Sequence, residues 1–127
     1  MNNNKKELDA IYEAFKSYIQ EQDTFEILYS ERMGYLRLLI DAPDEGAIVL
    51  ETPEEMLEYL CSDVVSDVVY GPDNPKKSHS DMTLTDYEKT ESRRRLSAIL
   101  ETLMDKETRS SFLEEFLEKY EGTDEED

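Results

Sequence analysis

The spacing of apolar side chains changes twice along this 127-residue chain, and those changes limit what it can fold into. Leu8, Ile11, Tyr12, Phe15 and Ile19 recur at helical spacing and define one face, with Lys6, Glu7, Glu13 and Lys16 on the other. This predicts a helix over residues 5–21, with Asn4 and Glu7 at capping-box spacing. From Thr24 the period drops to two. Phe25, Ile27 and Tyr29 alternate with Thr24, Glu26 and Ser30, and Leu36, Leu38 and Ile40 alternate with Tyr35, Arg37 and Asp41. The turn Glu31-Arg32-Met33-Gly34 joins the two runs into a hairpin. Ala42 to Gly46 forms a second turn, and Ala47 to Glu51 reads as a third strand. A meander this small must be covered on one face by helices. The face expected to be covered bears Leu36, Leu38 and Ile40.

The helical period returns after Thr52-Pro53-Glu54-Glu55, which combines an N-cap threonine, proline at the first helical position and glutamate at the third. Leu57, Leu60, Cys61, Val64 and Val68 form the apolar stripe of this second helix. Leu57, Leu60 and Val64 join Leu8, Ile11, Phe15 and Ile19 in the expected contact with the sheet. The tetrad Ser62-Asp63-Val64-Val65 repeats as Ser66-Asp67-Val68-Val69, and its β-branched residues leave 62–70 open between helix and extended chain.

Gly71 to Asp81 is a Pro/Gly/Ser/Asn loop, too short for a domain boundary. Thr85-Asp86-Tyr87-Glu88 is a second capping box. The helix it opens becomes apolar only later, at Leu96, Ile99, Leu100, Leu103 and Met104, so its first turns are expected to project beyond the core. Asp105 to Ser111 has no apolar side chain, after which Phe112, Leu113, Phe116, Leu117 and Tyr120 resume a helical stripe. A helical hairpin capped by Ser111 with Glu114 is the expectation, and a single bent helix is the competing arrangement. The resulting fold class is α+β, in the order N-terminal helix, three-stranded antiparallel meander, covering helix and C-terminal helical hairpin. It is read as one domain over residues 1–127, with 1–4 and 122–127 mobile.

Charge restricts function. Between Arg37 and Lys76 there is no Lys or Arg, yet ten carboxylates fall there, and the chain carries a net charge of −18. Such a field repels nucleic acid and anionic lipid and steers toward basic partners. Neither a secretory h-region nor an apolar run of membrane length is present, so the chain reads as cytoplasmic. Cys61 has no second cysteine to pair with and reads as a buried thiol, and His79 is the sole imidazole. Phosphate-binding, nucleophile-elbow and metalloprotease motifs are all absent, and no catalytic, cofactor or metal-binding residue is assigned. Glu54 with Glu58 and Asp63 with Asp67 are helical i, i+4 pairs, but the calcium-loop spacing is missing and a solvated face explains them better. Arg93-Arg94-Arg95 reads as internal neutralisation involving Glu91, and Tyr29 and Tyr35 as a pair across the sheet.

The expected function is therefore that of a non-catalytic acidic protein that binds a basic protein partner through Glu54, Glu55, Glu58, Asp63 and Asp67. Inhibitor, antitoxin or immunity-like, chaperone and nucleic-acid-mimic roles all fall within that class. The alternative is self-assembly as a homodimer through residues 85–120, using Leu96, Ile99, Leu103, Phe112 and Phe116, with charge serving solubility. An enzyme with an unrecognised acidic site is the third reading.

Overall fold

A computed structural model describes residues 3–75 and 84–122. The elements are α1 (Asn3–Gln20), β1 (Phe25–Ser30), β2 (Gly34–Leu39), β3 (Ala47–Leu50), α2 (Pro53–Val69), α3 (Asp86–Ile99) and α4 (Lys106–Gly122), with short 3-10 turns at Pro43–Glu45 and Leu100–Thr102. The fold is α+β in the expected order, and its last two helices form a pair. The 62–70 segment left open by the sequence is helical through Val69. Asn3 and Asn4 already belong to α1 and Gly122 to α4, while the other terminal residues expected to be mobile, with His79, lie outside the described residues. Among the described residues no helix is long and apolar enough to cross a membrane. By its internal contacts the chain divides into two compact units, Met1–Leu60 and Cys61–Asp127, with the boundary inside α2.

In the first unit the sheet order is β1-β2-β3, antiparallel throughout. Ser30 pairs with Gly34 and Phe25 with Leu39, so only Glu31, Arg32 and Met33 form the hairpin loop. Gly34 opens β2 at a φ of +87°, the left-handed position that closes a three-residue loop. The Ser30 hydroxyl accepts from the Arg32 and Met33 amides at 3.2 and 3.1 Å and holds the loop in place.

This loop overturns the expected covered face. A four-residue connection would pair Ser30 with Tyr35 and set Phe25 and Ile27 beside Leu36, Leu38 and Ile40. One residue fewer reverses β2, because side chains alternate with a period of two. Phe25 and Ile27 share their face with Tyr35, Arg37 and Leu39, and with Ile48 and Leu50 of β3. Leu36, Leu38 and Ile40 lie on the opposite face.

The helices confirm which side is covered. Tyr12 of α1 stacks on Tyr35 at 5.5 Å between centroids, and Tyr18 lies 6.4 Å from Phe25. The Arg37 guanidinium sits over Phe25 and over Tyr59 of α2, at 4.8 and 5.4 Å. Leu8, Ile11, Phe15 and Ile19 of α1 are buried, as are Phe25, Ile27, Tyr35 and Leu50 of the sheet. Met56 and Leu60 are the buried residues of the first turns of α2, whereas Leu57 is only half-buried.

Gly34 tests this register. No atom lies within 4 Å of where its Cβ would sit, so Gly34→Ala meets no clash and pays only for its positive φ. A loss of roughly 1–2 kcal/mol in unfolding free energy is expected. Asparagine, which tolerates this conformation better, should lose less. An alanine variant as stable as the parent in chemical denaturation would argue for a different loop.

The second unit carries the remainder of α2, together with α3 and α4. Its helix starts are set by local chemistry. Thr85 and Glu88 form a complete capping box on α3. The structure corrects the start of α4: it begins at Lys106, and Asp105, not Ser111, caps it, its carboxylate accepting from the Thr108 amide at 2.8 Å. Aspartate is as good an N-cap as serine, and polar first turns do not prevent a helix from forming. Arg109 joins α4 to what precedes it, donating to the Ser97 hydroxyl and the Met104 carbonyl, both at 3.1 Å. Leu96, Leu100, Leu113, Phe116 and Leu117 are buried.

The first turns of α3 are not a projection. Leu84, Glu88, Ser92, Leu96 and Leu100, at four-residue spacing, are all buried. Two of the five are polar, which is why an apolar stripe does not reveal them. Gly71, just past α2, is required by space: a Cβ there would stand 2.7 Å from the Asp67 carbonyl oxygen.

Candidate interaction surface

The five carboxylates expected to meet a partner all lie on α2, but they do not form a uniform set. Glu54 and Glu58 are exposed and stand one turn apart. Glu55 is half-buried and serves the helix itself: its amide donates to the Thr52 hydroxyl at 3.1 Å, and its Oε1 accepts from the Glu51 amide at 2.9 Å. This is a capping-box arrangement displaced by one residue, and it offsets the orphan amides of the first turn. Asp63 and Asp67 are half-buried and lie beyond the unit boundary. Glu54 and Glu58 therefore offer the more exposed carboxylates of the five.

Of the ten carboxylates in the base-free stretch, Asp41, Asp44, Glu45, Glu51, Glu54, Glu58 and Asp73 are exposed. All but Asp73 belong to the first unit. That unit's single strand-borne base, Arg37, lies on the helix-covered face over two rings, as described above. Its charge is held on the side away from Leu36 and Leu38.

A cleft of about 320 Å³ opens at the hairpin end of the sheet, lined among others by Lys5, Tyr29, Arg32, Met33 and Tyr35. Asp9 ties together two of the residues that line it, Lys5 and Tyr35. Its carboxylate accepts from the Tyr35 hydroxyl at 2.6 Å and from Lys5 Nζ at 2.8 Å, and Lys5 in turn lies 5.1 Å from the Tyr29 ring centre. The Lys5 ammonium first, and the Tyr35 hydroxyl second, hold the Asp9 carboxyl below its usual range. Burial, reinforced by Asp9, pushes the Tyr35 phenol well above its own. With two donors already on Asp9, the cluster acts as a clamp between α1 and β2. Tyr29 and Tyr35 face each other across the hairpin with ring centres 5.0 Å apart, as the sequence suggested.

Two of the three successive arginines, Arg94 and Arg95, neutralise Glu91 as expected. Arg94 and Arg95 both donate to Glu91, Arg95 Nε at 2.8 Å. Hydrogen bonds from Arg94 and then Arg95 lower the Glu91 carboxyl from 4.5 to about 2, against an opposing effect of burial. A carboxyl whose folded pKa is depressed stabilises the fold above its unfolded pKa and loses that contribution as pH falls through the folded value. Glu91→Gln should therefore flatten the fall in melting temperature between about pH 4.5 and pH 2, leaving the shares of Asp9 and Asp105, which are also lowered, in place. Identical pH profiles for parent and variant would remove Glu91 from the acid response.

The polar constellation that sequence reading missed is centred on Glu88. This fully buried carboxyl accepts from the Thr85 amide at 2.9 Å through Oε1 and from Asn74 Nδ2 at 2.7 Å through Oε2. Asn74 Nδ2 also reaches the Val69 carbonyl at 2.7 Å, so one amide joins the end of α2 to the start of α3. The capping-box spacing was visible, but nothing local marked Asn74 as the second partner. Among the described residues no group of three His, Cys, Asp or Glu is placed to hold a metal ion. Cys61 is fully buried.

No protein-family model, curated protein or solved structure matches this chain.

Proposed function

We propose that this chain is a non-catalytic cytoplasmic protein that binds a basic protein partner through its carboxylate-rich surface, in an inhibitory, antitoxin or immunity-like, chaperone or nucleic-acid-mimic role. The supporting observation is the base-free stretch from Leu38 to Pro75, in which seven of ten carboxylates are exposed. Exposed charges of one sign raise encounter rates with an oppositely charged surface and make association sensitive to salt. Self-assembly through residues 85–120 has less support, because Leu96 and Phe116, two of the five side chains it would use, are already buried in the single chain.

The test is capture of the chain's partners at low salt, release at raised salt, and measurement of association kinetics for the protein recovered. Glu54→Gln with Glu58→Gln should slow association and flatten its salt dependence while leaving the fold unchanged. Glu55 is kept, since its removal would also uncap α2. Failure to retain any basic protein at low salt would overturn the reading.

A further inference from the structure

The sheet has a second apolar face, and the register explains its character. Leu28, Leu36, Leu38 and Val49 share one side, and Ile40 continues it, its amide donating to the Thr24 carbonyl at 2.8 Å. Leu28 and Ile40 are 39% and 45% exposed and Leu36, Leu38 and Val49 are half-buried, whereas the opposite face is buried at Phe25, Ile27, Tyr35 and Leu50 and exposed at Ile48 on its β3 edge. Monomeric proteins seldom leave a contiguous patch of branched aliphatic residues uncovered without a use for it. Its rim is mostly acidic, with Arg32 of the hairpin loop an exposed base at one end. Glu26 lies on this same face, directly across from Leu38, while Asp41, Asp44, Glu45 and Glu51 stand exposed at the strand ends. The one base carried by the strands, Arg37, belongs to the other side.

We propose that this open face is the docking site for a cationic amphipathic helix of the partner, with an apolar stripe on Leu28, Leu36, Leu38, Ile40 and Val49 and Lys or Arg flanks toward Glu26 and the carboxylates at the strand ends. The inference rests on the binding of a basic partner proposed above and gives it a surface and a chemistry. The dimensions suit one helix. Three strands spaced about 4.8 Å apart make a face about 10 Å across, the diameter of one helix with its side chains. Six residues of β2 run for about 20 Å, the length of a helix of roughly 13 residues. A second copy of this chain would bring carboxylates against carboxylates at the same rim, whereas a cationic helix pairs each of them.

The probes are a Leu/Lys peptide of about 14 residues with leucines at i, i+3, i+4 and i+7, a scrambled peptide of the same composition, and a Leu/Glu counterpart, each labelled and titrated with the full chain by anisotropy at low and raised salt. The Leu/Lys helix should bind at least about tenfold more tightly than the scrambled peptide, and Leu28→Ser with Ile40→Ser should abolish that preference. Both substituted residues are exposed, and circular dichroism of the variant checks its fold. Equal, salt-sensitive binding of both cationic peptides, unchanged in the variant, would overturn the sheet face while sparing the acidic-surface reading. No binding of either cationic peptide at low salt would overturn both. Equal binding of the Leu/Glu peptide would remove the charge requirement and with it the proposed partner chemistry. A discrete parent dimer in sedimentation that becomes monomeric in the Leu28/Ile40 variant would give the face to a second copy instead.

Discussion

Replacing Phe15 with alanine should lower the unfolding free energy by roughly 3–5 kcal/mol, a large part of what holds a domain of this size together. Phe15 has no exposed surface, and its ring stands edge-on to Tyr18 at 6.5 Å, which in turn meets Phe25 of the sheet. Truncation removes most of a large side chain from the helix-sheet layer and leaves a cavity that the aromatic neighbours cannot close without breaking their own contacts. Urea denaturation should show the midpoint falling with little change in slope. Leu38→Ala supplies the control. Leu38 is half-buried on the open face, so its truncation should shift the midpoint far less. A Leu38→Ala shift as large as that of Phe15→Ala would mean that the helices cover the other side and that the hairpin loop has four residues.

The second large effect is expected at Glu88. Its replacement by alanine leaves the Thr85 amide and one Asn74 hydrogen without an acceptor in a buried place, with an expected cost of roughly 2–4 kcal/mol, above the ~1 kcal/mol usual for an exposed cap. Glutamine is not a rescue. Its carbonyl can still accept from Thr85, but its amide then faces the Asn74 amide, donor against donor. Asn74→Ala removes the other end of the bridge. A double-mutant cycle should show strong coupling, the double variant losing clearly less than the sum of the singles. Additive losses would mean that Asn74 and Glu88 act independently and that the connection from α2 to α3 is held elsewhere.

Neither position would have been ranked this way from composition. Phe15 is one of four phenylalanines, and helical spacing alone places it on an apolar face. Its complete burial depends on which sheet face α1 meets. Glu88 reads as an exposed capping residue, since glutamate at the third helical position normally faces solvent. Among the described residues Asn74, fourteen residues earlier in the chain, supplies a second donor to the buried carboxyl. In the acidic site the same limit applies. The carboxylates of α2 are visible as a run, but the capping role of Glu55 and the partial burial of Asp63 and Asp67 depend on what surrounds the helix.

What the chain's sequence determined by itself is the order and type of its elements and the start of helices such as α2 and α3. Capping at Thr52 and Thr85, the fixed backbone of Pro53 and the change of apolar period are settled within four or five residues, where hydrogen bonds and side-chain spacing act locally. Tertiary structure decided which side of the sheet became the core. Both sides of β2 are apolar enough to be buried, with Tyr35 and Leu39 on one and Leu36 and Leu38 on the other, so hydrophobicity does not choose between them. The choice rests on a single residue of loop length: Gly34 takes the left-handed conformation, β2 enters one position early, and every side chain on it changes face. Burial then follows α1 and α2 to the side where Phe25, Ile27 and Leu50 already stand, and the leucines left opposite, Leu36 and Leu38, are only half-buried.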